Sequence, residues 1–263
     1  MTLVGETGVD SRATVHSSAG IGRDVYIGPY CVIGPEVEVG DRCRLESHVV
    51  VQGRTTLGTD NIVSPMAALG GPPQSVNYGG EPTRLIVGSR NRIREHATML
   101  IGTEAGGGVT TIGDDNFFMV SSHVAHDCHV GNGTQFVNGA TLGGHVEVGD
   151  GATVGAFSGV HQFCRVAREA FIGGYSVVTR DALPWVLTAG NRAVSRGINR
   201  VGLERKGYSA EVMNAIKSCY VTLFRSKMGL EEALSKVEAE LGRYDEVRYF
   251  LDFVRGSKRG VCR

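Results

Sequence analysis

The histidines of this 263-residue chain are unevenly distributed, and one group of them could carry acid–base chemistry. His123, His126 and His129 fall within one short segment, and His126 is followed directly by Asp127. A carboxylate beside an exposed imidazole can hold one tautomer and stabilise the imidazolium. Such a histidine could act as a general base toward an alcohol near neutral pH. A turn histidine that is simply exposed to solvent is the alternative.

The three-residue spacing of His123, His126 and His129 also raises the question of a metal site. Zinc in proteins is held by His, Cys or acidic ligands that converge in a tetrahedron. In the repeat described next, His123 and His129 occupy equivalent positions on adjacent faces, so the three cannot converge from one strand. We therefore predict no metal site and no cofactor, with a zinc ion shared between subunits as the alternative.

A six-residue repeat must position these side chains. Large apolar residues recur six apart from Val9 to Leu69 and again from Ile112 to Val178, with glycine often following directly. This period fits neither a helix nor a simple alternating strand. It predicts short strands joined by tight turns, in which glycine suits a sharp bend or a positive φ. Three units make an eighteen-residue triangular coil, and stacked coils bury a continuous core.

The repeat predicts an all-β parallel β-helix over residues 1–190, because stacked coils pair their strands in parallel. Two interruptions, at 70–86 and 100–111, are predicted to be loops expelled from the column. Residues 191–263 are predicted to form a C-terminal α-helical domain, in which apolar residues recur three or four apart. The period alone leaves the hand of the β-helix open.

Three helices are predicted in the second domain. Ser209 can cap the first, and the others should span about 229–241 and 245–255. From residue 191 onward the chain has 15 Lys or Arg against 9 Asp or Glu, a net charge of +6. This charge could dock an acidic partner or a phosphate group, or it could simply be a solvated surface.

The composition of the whole chain excludes several classes of protein. The 27 basic and 27 acidic residues balance, so the electrostatic footprint of a nucleic-acid binder is missing. No apolar stretch is long enough to span a membrane and no signal peptide is apparent, which predicts a cytoplasmic protein with no integral membrane association. The six cysteines form no CxxC pair and are interpreted as reduced packing residues.

The eighteen-residue coil predicts which side chains share an edge. Positions 126, 144 and 162 should stack on successive coils. His126 is two residues beyond the inward Val124, so its imidazole should point away from the dry core. One edge should then carry His126, Gly144, His145, His161 and Gln162.

Several sequence segments carry a family resemblance. They are HVAHDCHVGN at 123–132, GGEPTR at 79–84, RNRIRE at 90–95, ATLGGHV at 140–146, VHQFC at 160–164 and GLERKGYS at 202–209. In this order the chain resembles the UDP-N-acetylglucosamine O-acyltransferases of lipid A biosynthesis, within the hexapeptide-repeat acyltransferase superfamily. The resemblance implies a left-handed β-helix and a homotrimer with its active site between subunits. It also implies transfer of an (R)-3-hydroxyacyl group from acyl carrier protein to the 3-hydroxyl of UDP-N-acetylglucosamine.

The same resemblance implies a role for individual residues. His126 would be the general base, Asp127 its orienting partner, and the Gly144 N–H the donor to the oxyanion, with Cys128 a packing residue. Contacts to the sugar or acyl chain would come from His123, His145, His161 and Gln162, with Gln74 in the sugar-binding loop. Asn199 and Arg205 would hold the nucleotide, and Gly174 would limit acyl length.

The chain departs from the family pattern at four positions. Ser75 and Asn77 stand where an acidic residue and a lysine are common near the sugar. Arg192 and Val201 replace a histidine and a glutamate at the nucleotide end. These departures leave the acceptor open between a 3-hydroxyl and a 3-amino sugar, so an N-acyltransferase of the same superfamily stays the alternative function.

Overall fold

Short strands make up most of the chain in the computed structural model, which describes residues 7–263. Within these residues, strands β1 to β28 are, in chain order, Gly8–Val9, Thr14–Val15, Gly20–Ile21, Tyr26–Ile27, Val32–Ile33, Glu38–Val39, Arg44–Leu45, Val50–Val51, Arg54–Leu57, Ile62–Val63, Ala68–Gly71, Arg84–Val87, Arg92–Ile93, Thr98–Leu100, Val109–Ile112, Phe117–Phe118, His123–Val124, His129–Val130, Gln135–Phe136, Thr141–Leu142, Glu147–Val148, Thr153–Val154, Gly159–Val160, Arg165–Val166, Phe171–Ile172, Val177–Val178, Val186–Ala189 and Val194–Ile198. Most are only two residues long because each face of a triangular coil is short.

The strands form three sheets that run the length of a column. Sheet A contains β1 and every third strand to β25, followed by β27 and β28. Sheet B runs in the same way from β2 to β26, and sheet C from β3 to β24. Val124 pairs with Leu142, eighteen residues later, and pairing is parallel throughout except between β27 and β28. The predicted left-handed parallel β-helix is confirmed.

The repeated apolar residues fill the inside of the column. Ile27 and Leu45 on successive coils are fully buried, and the rings of Phe118 and Phe136 stack with centroids 4.7 Å apart. Each inward side chain gains its contacts from the coils above and below, so burial of apolar area ties every coil to its neighbours. This stacking fixes the position of the turns at the three edges.

The glycines that follow the inward residues are required by close approach between coils. A Cβ on Gly40 would lie 2.6 Å from the carbonyl oxygen of Gly58, and one on Gly155 would lie 2.5 Å from the oxygen of Ile172. Neither glycine has a positive φ. The positive φ falls two residues later in the turn, where side chains such as Asp60 (59°) stand. Close approach between coils, rather than backbone conformation, therefore explains the repeated glycine.

Both expelled loops leave the column at the edge between sheets B and C. They span 72–83 and 101–108, and are shorter than predicted because β11, β12, β14 and β15 extend into the predicted loop segments. The second loop contains a 3-10 turn, Glu104–Gly106, which is capped by Thr103. This loop folds against the edge that carries the histidine segment.

Helices follow the column. They are α1 Arg200–Arg205, α2 Ala210–Phe224, α3 Leu230–Leu241 and α4 Asp245–Arg255. The three predicted helices correspond to α2, α3 and α4, and Ser209 caps α2 by accepting a hydrogen bond from the Val212 N–H at 3.2 Å. Among the described residues, none of the helices has the length and apolar character needed to cross a bilayer.

The column and the helices are packed into each other across the predicted boundary at residue 190. Trp185, at the end of the column, is buried in the same hydrophobic cluster as the helices. In the other direction, Cys262 near the C-terminus is buried in the core of the column, and Val261 pairs with Asp181. Residues 194–198, assigned to the helical domain, form the strand β28. The division of the chain into two domains stays a prediction.

Candidate active site

His126 and Asp127 form a hydrogen-bonded pair at the edge between sheets B and C. Nδ1 of His126 lies 2.7 Å from Oδ2 of Asp127. The imidazole keeps 17% of its side-chain surface exposed while the carboxylate is fully buried. An ionised carboxylate can only accept, so Nδ1 of His126 carries the hydrogen of this bond. In the neutral ring, Nε2 is then the nitrogen without a proton and can take one from a substrate.

The Asp127 carboxylate is held ionised by hydrogen bonds in spite of its burial. Burial would raise its pKa, but the Thr103 hydroxyl at 2.6 Å and the His126 imidazole donate to it and hold the pKa below its ordinary value. The Thr103 backbone N–H adds a further bond at 2.7 Å. The charge that would stabilise a His126 imidazolium is therefore already in place at neutral pH.

Gly144 lies on the coil after His126, as the eighteen-residue register predicts. A Cβ at this position would lie 2.6 Å from Cε1 of His126 and 2.9 Å from Nε2, so any side chain would displace the imidazole. Among the residues that the structure describes, the buried Gly144 N–H donates no hydrogen bond. An unpaired backbone N–H next to a candidate base is available to a developing oxyanion.

His145 follows Gly144 on the same coil and faces the His126–Asp127 pair. Its Nε2 is 3.7 Å from Oδ2 of Asp127, and its ring stacks on Phe163 with centroids 4.4 Å apart. Burial lowers the pKa of His145 more than the nearby Asp127 charge raises it. A neutral His145 ring carries no positive charge, so it does not compete with a His126 imidazolium for the negative charge of Asp127.

The remaining polar residues of the predicted edge are arranged around this centre. His161 and Gln162 are exposed one coil beyond Gly144. His123 projects from sheet B, where Thr98 Oγ1 lies 2.7 Å from its Nδ1. Burial, and then the charge of His126, lower the pKa of His123. The predicted grouping of His126, Gly144, His145, His161 and Gln162 on consecutive coils of one edge is present.

The predicted separation of His123 from His129 is confirmed, since the two lie in sheet B and sheet C. A different cluster could offer ligands: donor atoms of His126, Asp127 and His145 all lie within 4.8 Å of one another. Both Asp127 oxygens already accept hydrogen bonds from Thr103, and Nδ1 of His126 donates to one of them. This donor set fits a proton-transfer pair better than a metal ion, whose ligands must free their lone pairs.

Cys128 follows the His126–Asp127 pair but is turned into the column. It is fully buried, and its Sγ lies 3.1 Å from the carbonyl oxygen of Gly143 as a donor. Burial raises the pKa of the thiol to about 12, so the thiolate needed for acylation is not populated at neutral pH. All six cysteines are unpaired and buried, as the packing interpretation predicts.

The other predicted site residues lie elsewhere on the chain. Asn199 and Arg205 line a separate cavity of about 420 Å³ between sheet A and α1. Gly174 is exposed at the edge between sheets A and B, and Gln74 is exposed in the loop 72–83. A single chain therefore does not bring Asn199, Arg205 and Gly174 to the edge of His126, whereas Gln74 is on a loop that leaves the column at that edge.

Several residues of the centre were not predicted. Thr103 and Gly106 belong to the loop 101–108, which was interpreted only as an interruption of the repeat, and Thr110 accepts the Asp127 N–H at 2.8 Å. Phe163 stacks on His145 from the next coil. The one sequence signal for the loop was the glycine run at 106–108, which indicates a backbone that approaches another group closely.

Comparison with known proteins gives consistent matches over most of the chain. A family profile described as the second domain of UDP-N-acetylglucosamine O-acyltransferase matches residues 181–262, and a bacterial transferase hexapeptide profile matches 18–53. An acyl-[acyl-carrier-protein]–UDP-N-acetylglucosamine O-acyltransferase from Thermodesulfovibrio yellowstonii is 43% identical over 255 residues, covering 97% of this chain and 99% of the relative.

Solved structures agree with this sequence match. LpxA from Acinetobacter baumannii superimposes with a TM-score of 0.94 at 39% identity, covering 97% of this chain and 99% of the other. A UDP-N-acetylglucosamine O-acyltransferase from Moraxella catarrhalis gives a TM-score of 0.95 at 36% identity with the same coverage.

Proposed function

The chain belongs to the family of UDP-N-acetylglucosamine O-acyltransferases, and we propose that it transfers an (R)-3-hydroxyacyl group from acyl carrier protein to the 3-hydroxyl of UDP-N-acetylglucosamine, the first step of lipid A biosynthesis. The observation that supports this chemistry is the hydrogen bond between Nδ1 of His126 and the buried Asp127 carboxylate. The unpaired N–H of Gly144 lies beside the same imidazole ring. This arrangement has a base and an oxyanion donor but no reactive enzyme nucleophile. It suits direct attack of a hydroxyl on a thioester.

Each group of the centre has one part in the proposed reaction. Nε2 of His126 takes the proton of the 3-hydroxyl as its oxygen attacks the thioester carbonyl carbon. The carbonyl oxygen becomes an oxyanion that accepts a hydrogen bond from the Gly144 N–H. When the intermediate collapses, the C–S bond breaks and the carrier's sulfur takes the proton from the imidazolium. Asp127 stabilises the imidazolium between these two transfers.

We propose that two copies of the chain complete each site in a homotrimer. The cavity with Asn199 and Arg205 lies against sheet A, whereas His126 stands on the edge between sheets B and C. A substrate with both a sugar and a nucleotide could contact both groups if they come from neighbouring subunits. A guanidinium suits diphosphate oxygens, and Asn199 adds a polar group to the same cavity.

Subunit mixing tests this arrangement. His126→Ala and Arg205→Ala proteins are unfolded and refolded together, and each is also refolded alone. A shared site predicts that the mixture regains part of the wild-type activity, because some interfaces then carry both wild-type residues. Activity no higher than that of the two separate proteins, in a mixture shown to contain hybrid trimers, would place the whole site within one chain.

The donor is proposed to dock on the basic C-terminal part of the chain. Lys258 and Arg259 line a cavity of about 400 Å³ that also contains Asp127, His145 and Phe163. A carrier protein with an acidic surface would be attracted there, and the attraction would be screened by salt. The KM for the acyl carrier should therefore rise several-fold between low and high ionic strength, with little change in the KM for the sugar nucleotide. A KM for the carrier that is independent of salt would contradict this docking.

The activity itself is tested with purified protein, acylated carrier proteins of several chain lengths and two acceptors, UDP-N-acetylglucosamine and its 3-amino analogue. We expect an ester product by mass spectrometry, and a loss of about 10²- to 10⁴-fold in kcat for His126→Ala with an unchanged oligomer. An amide product formed only from the amino sugar would establish the N-acyltransferase instead. Activity that disappears in chelator and returns with zinc would favour the metal alternative. The cytoplasmic location stays a prediction, which cell fractionation would test.

A further inference from the structure

The loop 101–108 packs on the Asp127 carboxylate. The Thr103 N–H donates to Oδ1 at 2.7 Å, and the Thr103 hydroxyl donates to Oδ2 at 2.6 Å. Oδ2 is the same oxygen that accepts from Nδ1 of His126, at 2.7 Å. The Thr103 hydroxyl and the His126 imidazole therefore share one buried acceptor atom.

The position of Thr103 is itself fixed by the 3-10 turn. Thr103 caps the turn, and its Oγ1 accepts a hydrogen bond from the Gly106 N–H at 3.1 Å. This bond directs the hydroxyl hydrogen toward Asp127, because the oxygen's acceptor side is occupied. A Cβ on Gly106 would overlap the Asp127 carboxylate, so the turn rests directly on the acid.

We propose that Thr103 is a positioning residue that sets the basicity of Asp127 and, through it, the proton affinity of His126. This inference rests on the proposed role of His126 as the base. A hydroxyl bonded to Oδ2 stabilises the carboxylate and draws electron density from that oxygen, so the carboxylate pulls less strongly on the Nδ1 proton. The imidazolium is then less stabilised, and His126 remains neutral and able to act as a base at lower pH.

The sign of the effect follows from this competition. Removing the Thr103 hydroxyl leaves Oδ2 with one fewer donor, so more of its charge faces His126 and the imidazolium becomes more stable. The acid limb of kcat/KM reports the pKa of the base in the free enzyme. Two other titratable groups face this pair, His145 at 3.7 Å from Oδ2 and His123 on sheet B, and burial lowers the pKa of both. We therefore expect Thr103→Val to move this limb upward by about half a pH unit, with kcat lowered about 10-fold as the carboxylate loses one of its fixed bonds.

Two variants are matched controls. Thr103→Ser keeps the hydroxyl and should keep the wild-type pH profile. Thr110→Val removes a buried hydroxyl of the same neighbourhood that accepts the Asp127 N–H at 2.8 Å and does not bond the carboxylate, so it should leave the acid limb in place. The pH dependence of kcat/KM is measured for all proteins with the acyl carrier and UDP-sugar, beside their thermal unfolding.

The outcomes separate this inference from the proposed function. Wild-type protein without turnover would contradict the proposed function. An active wild type with an unmoved acid limb in Thr103→Val, or an equal shift in Thr110→Val, would overturn only the role of Thr103. If Thr103→Val fails to fold, Thr103→Ala removes the hydroxyl with less bulk, and ¹⁵N-histidine titration of His126 gives the same shift without an activity assay.

Discussion

Two edges of the column place an aspartate at the same position of the same turn and use it differently. The charged edge, between sheets C and A, carries Asp24, Arg42, Asp60, Arg90 and Asp115, whereas the histidine edge, between sheets B and C, carries Asp127, His145 and Phe163. Asp60 and Asp127 both have a positive φ, of 59° and 58°. Asp60 pairs with Arg42 at 2.7 Å in solvent, with 54% of the arginine and 37% of the aspartate side chain exposed.

The difference comes from what covers each edge rather than from the turn. The loop 101–108 leaves the column at the histidine edge and packs on Asp127, which is fully buried. On the charged edge the Arg42 guanidinium lowers the pKa of Asp60 in contact with water, where ion pairs contribute little to stability. Each coil places a side chain at the same position of the turn, where an aspartate carboxylate can stand. Where the loop 101–108 covers that position, the carboxylate is buried and its negative charge can stabilise an adjacent imidazolium.

The largest effect is expected from removing the charge at each position. Asp127→Asn should lower kcat by at least about 100-fold, because an amide can donate to Nδ1 and hold His126 in the tautomer that carries its proton on Nε2. Asp60→Asn, the same change at the same turn position, should leave kcat unchanged. Steady-state kinetics on the two variants test this contrast. Similar losses in both would show that the turn itself, and not the covering loop, carries the function.

A smaller loss is expected from adding one carbon beside the base. The Cβ of Gly144→Ala would lie 2.6 Å from Cε1 of His126, so the imidazole must move. A displacement of this size should lower kcat by about 10- to 100-fold, because proton transfer depends on the position of the base. Gly20→Ala is the matched control, since its Cβ would meet Cγ of Glu38 at an ordinary 3.6 Å. Equal activity in the two variants would show that the position of the His126 imidazole does not affect the reaction, and would contradict its role as the base.

The repeat itself could be predicted from the sequence because it depends on local periodicity. Each inward residue such as Leu142 lies eighteen residues from its neighbour Val124, so the register, the stacking and the grouping of His126 with Gly144 all follow from one number. The helices were predictable for the same reason, since their apolar stripes face one core. The family resemblance then added the hand of the column, which the period does not determine.

The surroundings of Asp127 could not be predicted in this way. Thr103 precedes Asp127 by 24 residues, an offset that the eighteen-residue period does not relate to the edge. A loop that leaves the repeat packs where its own hydrogen bonds hold it. The periodicity of the repeat contains no information on those hydrogen bonds. The same holds for Gly106. A side chain there would overlap the Asp127 carboxylate, and this clash is apparent only from the structure.

Titratable groups of the column should lose stability in two pH ranges. Burial lowers the pKa of His123 and His145 below their ordinary 6.5, so the unfolded chain binds more protons than the folded one, and stability falls as pH drops below about 6.5. For Asp60 the Arg42 guanidinium lowers the pKa below its ordinary 3.8, so its contribution is lost only below about 3.8. Tm followed from pH 8 to 3 should therefore decline in two ranges.

Asp127 belongs to the lower range as well, because its hydrogen bonds with Thr103 and His126 lower its pKa in spite of its burial. His145→Gln should therefore flatten only the upper range, whereas Asp60→Asn should change Tm little in either range, since its exposed ion pair contributes little to stability. A change in the lower range for His145→Gln would contradict the assignment.

The smallest effect is expected where the charged edge is simply neutralised. Arg42→Gln removes the partner of Asp60 without changing the buried coil beneath it, and an exposed pair of this kind is screened by water and salt. Kinetics and Tm at moderate ionic strength should match the wild type, and any loss of Tm should appear only at low salt. The backbone turn at residue 42 also has a positive φ, of 57°, in the wild type, and the substitution leaves that strain as it is, because neither residue is glycine. A marked loss of activity in Arg42→Gln would mean that the two edges are coupled through the column, and burial at Asp127 alone would then no longer account for the difference between them.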